Sequence, residues 1–176
     1  MRRLAVVIGM SFAVPAMAND ADLIEGFRTN DFLRALPQQA DQLVRQGMGS
    51  DPKNGLVKAQ YADAKQTRKA QVLIYRAPDG VDVDDYVETV LESTEKAMRK
   101  AGAQPSRRDY TSPSDTVIQC LDGNQKQKIL HSVCLASVKG RVVDVQPLAA
   151  ASNGVNKEAF EQSNAFVSAV VDAIAS

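Results

Sequence analysis

Apolar residues recur along this chain in two rhythms, steps of three and four that mark helices and steps of two that mark strands. The clearest helical segment follows Pro78-Asp79-Gly80, where Val83, Tyr86, Val87, Val90, Leu91, Thr94, Ala97, Met98 and Ala101 fall on one side. Asp82 is the predicted N-cap, and Asp84 and Asp85 lie in the first turn, where the helix dipole favours anions. Glu92–Lys96 and Glu95–Arg99 are i, i+4 pairs in the favourable order. Arg99 and Lys100 close the last turn, and Gly102 is a natural residue to end it. A second amphipathic helix ends the chain, with Asn153-Gly154 as turn and Asn156 as N-cap. Its stripe is Phe160, Val167, Val170, Val171 and Ile174. The N-terminal part reads as helical in two pieces, Leu23 to Leu36 and, after Pro37, Gln38 to Gln46 with Ala40, Leu43 and Val44 on one face. The run Gly47-Met48-Gly49-Ser50-Asp51-Pro52, with Asn54-Gly55, predicts a break.

Period-two segments fill the rest. Leu56 to Ala62 alternates Val57, Ala59 and Tyr61 with Lys58 and Gln60, and Ala70 to Ala77 contains Val72-Leu73-Ile74-Tyr75. Thr116 to Leu121, Lys128 to Val138 and Arg141 to Leu148 read as three more strands. Lys139-Gly140 fits a two-residue hairpin turn, which pairs Val138 with Arg141, Ala136 with Val143 and Cys134 with Val145. Ile118, Cys120, Cys134, Ala136, Val143 and Val145 then share one face. The register that brings Cys120 to Cys134 also assembles an apolar surface.

These elements predict an α+β domain: an antiparallel sheet of about five strands flanked by helices, with one intrachain disulfide. The order of Ala70-Gln71-Val72-Leu73-Ile74-Tyr75, the Asp82 to Ala101 helix, the Cys120 to Leu148 meander and the terminal helix resembles the Mog1/PsbP-like α/β/α sandwich. The resemblance spans Leu56 to Ile174, and the group includes small exported proteins. It implies binding, assembly or accessory roles more than catalysis. It is a match of element order without a motif, so it transfers no functional residue.

The first residues change the picture of where the chain works. Met1-Arg2-Arg3 is a short positive stretch, Leu4 to Val14 is uncharged and mostly apolar, and Pro15-Ala16-Met17-Ala18 ends in a small-x-small pattern. This is the layout of a cleavable export signal, and the apolar run is shorter than the roughly 20 residues a membrane-spanning helix needs. The expected organisation is a signal at 1–18, a helical segment and linker at 19–55, and the sandwich domain at 56–176. Periplasmic or secreted location follows, with no membrane anchor after cleavage behind Ala18. The two cysteines, Cys120 and Cys134, are then expected to be bridged.

Charge excludes more than it suggests. The 176 residues carry 21 basic and 21 acidic side chains, and the signal holds two of the basic ones. Such a balance argues against nucleic acid, which needs a basic stripe. Candidate chemistry is sparse. His131 is the single histidine. Its neighbour Ser132 points to the opposite face of a strand, so a hydrolase would need Ser112, Ser114, Asp115 or Asp144 instead. Asp79, Asp82, Asp84 and Asp85 cluster, but a calcium loop begun at Asp82 puts Tyr86 and Val87 where an oxygen ligand and a turn glycine belong. One histidine and two bridged cysteines are too few for zinc. No metal or cofactor is therefore expected. The stretch containing Asp109, Tyr110, Ser112, Ser114 and Asp115 reads as a loop with an aromatic residue, a candidate partner-binding loop.

The functional expectation is an exported, non-catalytic protein that binds another protein: an accessory or assembly factor, or an immunity-type inhibitor of a periplasm-targeted toxin. The alternatives are a small hydrolase using His131 and a carrier of a small apolar ligand between sheet and helix.

Overall fold

The structure, a computed structural model, describes residues 22–125, 129–150 and 157–176. The export signal expected at 1–18 and the expected Asn153-Gly154 turn with its Asn156 cap lie outside the described residues. In chain order the elements are helix α1 (Thr29–Ala35), strands β1 (Gln39–Ala40), β2 (Leu43–Asp51), β3 (Leu56–Ala62) and β4 (Arg68–Tyr75), then helix α2 (Val83–Lys100). Strands β5 (Ser106–Thr111), β6 (Val117–Gln125), β7 (Ile129–Val138) and β8 (Arg141–Ala150) follow, and helix α3 (Lys157–Ala175) ends the chain. All eight strands form one antiparallel sheet in the order β1-β2-β3-β4-β8-β7-β6-β5.

Three layers result, because both sheet faces alternate apolar positions. Under α1 and α3 lie Leu43, Val57, Ala59, Tyr61, Val72, Ile74, Ile118, Cys120, Cys134, Ala136, Val143 and Val145, packed on Phe32, Leu36, Phe166, Val167, Val170 and Ile174. Under α2 a smaller core joins Val87 and Leu91 to Leu121, Val133, Leu135 and Val142. Because α2 packs on β6, β7 and β8, the same face of β3 and β4 is left to exposed Lys58, Gln60, Lys69 and Gln71.

The expected hairpin register is present: Val138 pairs with Arg141, Ala136 with Val143 and Cys134 with Val145. Cys120 sits opposite Cys134, and the two are disulfide-bonded. Such a bridge belongs to an oxidising, extracytoplasmic compartment. Among the described residues no helix is long and apolar enough to cross a membrane. The α2 signals hold as well. Asp82 accepts from the N–H groups of Asp84 at 2.8 Å and Asp85 at 3.3 Å, and Glu95 pairs with Arg99 at 2.7 Å.

Two expectations are corrected. Among the described residues the sheet has eight strands where about five were expected. The stretch read as a helix over 38–46 is β1 and the start of β2, and β2 runs through the predicted break to Asp51. A bulge between Arg45 and Gly47 interrupts its alternation, and the residues from Gln46 to Ser50 are exposed. A strand covered on so little of its length shows no period of two. Likewise, β5 carries Arg107, Arg108 and Asp109 at the sheet edge, so no apolar rhythm announces it.

The N-terminal segment is latched to the β7–β8 hairpin. Arg141 is fully buried; its guanidinium donates to the Gly55 carbonyl at 2.8 Å, to the Asp22 carbonyl at 2.9 Å and to the Asp22 carboxylate at 3.2 Å. It also lies 5.0 Å from the centre of the Phe32 ring. Burial opposes ionisation of Asp22, but hydrogen bonds from Thr29 and Arg141 outweigh it and hold the carboxyl below its usual range. Gly140 takes φ +69°, and a Cβ there would stand 2.6 Å from Ile24. Only glycine fits both the turn and the latch.

Candidate functional site

The face carrying α2 holds a groove of about 470 Å³ between the first turns of that helix, the β5–β6 turn and the strands beneath. Alternation explains its floor. Ile118 and Cys120 point into the larger core, so Val117 and Gln119 must point the other way. Farther along β6, Leu121 is covered by α2, but Val117 remains 55% exposed. Asp84, Asp115, Thr116 and Ser137 complete the polar part of the lining, and none of the lining residues is basic. The Gln119 side-chain oxygen is buried, with no hydrogen-bond partner among the described residues.

The β5–β6 turn that forms one wall is rigidly held. Ser112 N–H donates to the Thr116 carbonyl at 2.9 Å and Asp115 N–H to the Ser112 carbonyl at 3.0 Å. Asp172 of α3 accepts from the Ser112 hydroxyl at 2.6 Å and the Ser114 N–H at 3.1 Å. Asp115 has φ +59°, a left-handed conformation that aspartate tolerates better than most residues. The turn is thus fixed from behind while Asp115 and Thr116 face the groove.

Of the residues expected in a partner-binding loop, the structure places Asp109 and Tyr110 on β5 and Ser112, Ser114 and Asp115 in this turn. Asp115 lines the groove; Ser112 and Ser114 serve as the tether to α3. Tyr110 packs against the larger core with the Arg108 guanidinium 5.3 Å from its ring centre.

His131 lies elsewhere, six residues along β7 from Ser137 and so roughly 20 Å away at the rise of a strand. With Lys69, Gln71, Gln146 and Leu148 it lines a shallower cavity of about 210 Å³. Burial lowers its basicity, which favours the neutral imidazole. Ser132 is on the other face, fully buried, and donates to Asp122, which also accepts from Arg108. Ser112, Ser114 and Asp115 stand at the far end of the sheet from His131 and do not join it. Asp144 shares its face, but Gln146 donates to both Asp144 oxygens, at 3.1 and 3.0 Å. Burial pushes the Asp144 carboxyl up to about 6. Among the described residues, no three or more His, Cys, Asp or Glu side chains stand close enough to hold a metal ion.

Asp84, Val117 and Gln119 escaped the sequence reading. Alternation along β6 assigns Val117 and Gln119 to a face, but nothing in the chain says how far α2 will extend over them.

No protein-family model matches this chain, and no curated protein matches it. Among solved structures it is similar to the solution structure of cyanobacterial PsbP (CyanoP) from Synechocystis sp. PCC 6803. The two are 12% identical, with 74% of this chain and 92% of that chain covered and a TM-score of 0.48.

Proposed function

We propose that this protein is exported by its N-terminal signal to the bacterial periplasm and there binds another protein without catalysing a reaction. The groove beside α2 is the contact site. A single observation carries this reading: the groove sets the carboxylates of Asp84 and Asp115 beside the exposed Val117, with no base among its lining residues. That lining suits a partner surface bearing a lysine or arginine beside an apolar residue, since charged donors form the stronger hydrogen bonds to such acceptors. An accessory or assembly role, or neutralisation of a toxin delivered to the same compartment, would use such a surface. Support also comes from the anchored turn, because a wall already ordered before binding loses little entropy on complex formation.

The test is capture from periplasmic extract on immobilised protein, comparing wild type with Gln119→Arg and with Val117→Glu. The expected result is one stoichiometric partner on wild type, lost in both variants although each keeps its thermal midpoint. No partner on wild type would refute protein binding. The same partner on all three would refute the groove as its site.

A further inference from the structure

We infer that β2 is a self-pairing edge, through which two copies of this chain form a symmetric dimer by joining their sheets. The inference is independent of the groove, which lies near the other side of the sheet.

The two edges of the sheet are protected unequally. At one, β5 presents Arg107, Arg108 and Asp109, charges of the kind that discourage strand addition. At the other, β1 covers only Leu43 and Val44, and the Arg45 N–H is taken by the Gln38 carbonyl at 2.9 Å. From Gly47 to Ser50, β2 pairs with β3 on its inner side, Gln46 being the bulged residue, and from Gln46 to Ser50 it has no strand partner on its outer side among the described residues. These residues are exposed, Met48 by 50%. None of the five is charged and none is proline.

The glycines supply a second observation. Gly47 and Gly49 sit inside a strand, where glycine weakens the structure by roughly 0.5–1 kcal/mol relative to alanine. A Cβ on either would meet nothing within 4 Å, and neither has a positive φ. The bulge between Arg45 and Gly47 accounts for a glycine at 47, but nothing in the chain's own fold calls for Gly49. A glycine in a strand often marks the close approach of another backbone.

The segment is also complementary to itself. In an antiparallel pair centred on Met48, Gly47 faces Gly49 of the second copy, Gln46 faces Ser50, and the two Met48 side chains meet at the two-fold axis. The flanks carry opposite charges, Arg45 before and Asp51 after, so antiparallel pairing sets unlike charges near each other and parallel pairing does not. Pro52 turns the chain away where the other copy's β1 begins. Such an interface is isologous and closes at two copies. So short a pairing falls in the small, weak class of interfaces, so dimerisation should show in the micromolar range.

Sedimentation velocity of the purified exported form, from low to high micromolar concentration, tests this. The expected result is a concentration-dependent dimer that Met48→Lys abolishes without moving the thermal midpoint. Met48→Cys, which adds the single free thiol beside the Cys120–Cys134 bridge, should yield a covalent dimer on mild oxidation, and Lys58→Cys on the sheet face should not. A wild type that stays monomeric throughout would overturn the inference. So would a dimer that Met48→Lys leaves intact. Should Met48→Lys fail to fold, the cysteine pair decides: no covalent dimer from Met48→Cys, or equal yield from Lys58→Cys, overturns it.

Discussion

The two faces of the sheet treat buried charge differently. Under α1 and α3, Arg141 meets Asp22 and Asp122 meets Arg108, and the disulfide ties neighbouring strands on that side. Under α2, Asp144 is buried with a glutamine as its partner and, among the described residues, no cation to offset its burial. Beside it on that face lie the unanswered Gln119 oxygen and the open groove. Opposite charges paired in one layer and a lone carboxylate in the other suggest a division of labour. One face closes the fold; the other is left incomplete, as a surface kept for a partner would be.

Substitutions can break that contrast in order of size. Arg141→Ala should have the largest effect, a loss of about 3–5 kcal/mol, because Asp22 would be left partly buried without its counter-charge and Phe32 without its stacked guanidinium. Chemical denaturation would measure it. Reducing the Cys120–Cys134 bridge, or replacing both cysteines with alanine, should cost about 3 kcal/mol in the chain-entropy account of a loop of this length. Unfolding curves with and without reductant check that figure.

On the α2 face the sign should reverse. Asp144 ionises near 6 in the fold against 3.8 as its ordinary value, so between those pH values the native state holds more protons than the unfolded chain. The contribution of Asp144 to stability should therefore fall as pH rises from about 4 to 6, where the fold comes to carry an ionised buried carboxylate. Asp144→Asn should remove that slope and stabilise the protein by about 1–3 kcal/mol at pH 7, with little change at pH 4. Thermal midpoints across this range would show it. The smallest effect belongs to Arg107→Ala at the β5 edge. Its pairs with Glu88 at 2.5 Å and Glu95 at 3.0 Å are partly exposed, so the loss should stay within about 1 kcal/mol and shrink with salt.

How much of this was readable beforehand follows from the same contrast. The β6 to β8 register and helix α2 could be read because each buries a full face, so period and register are enforced at every residue. The two edges could not, for reasons that differ. In β2 a bulge and two glycines erase the alternation; in β5 arginine and aspartate replace the apolar positions. Arg141 and Asp144 left a faint signal, as charges inside the run Arg141-Val142-Val143-Asp144-Val145. The sequence could not say that the first would find a counter-charge more than a hundred residues away while the second would not. The groove is a matter of where a helix stops covering a sheet, which depends on packing across the whole domain.

A photo-crosslinking residue placed at Val117, compared with one at exposed Ala165 on α3, tests directly whether the α2 face is the one that meets a partner. In periplasmic extract the account predicts a discrete adduct of one protein from position 117 and none from position 165. An adduct from 165 alone, or the same adduct from both, would contradict it.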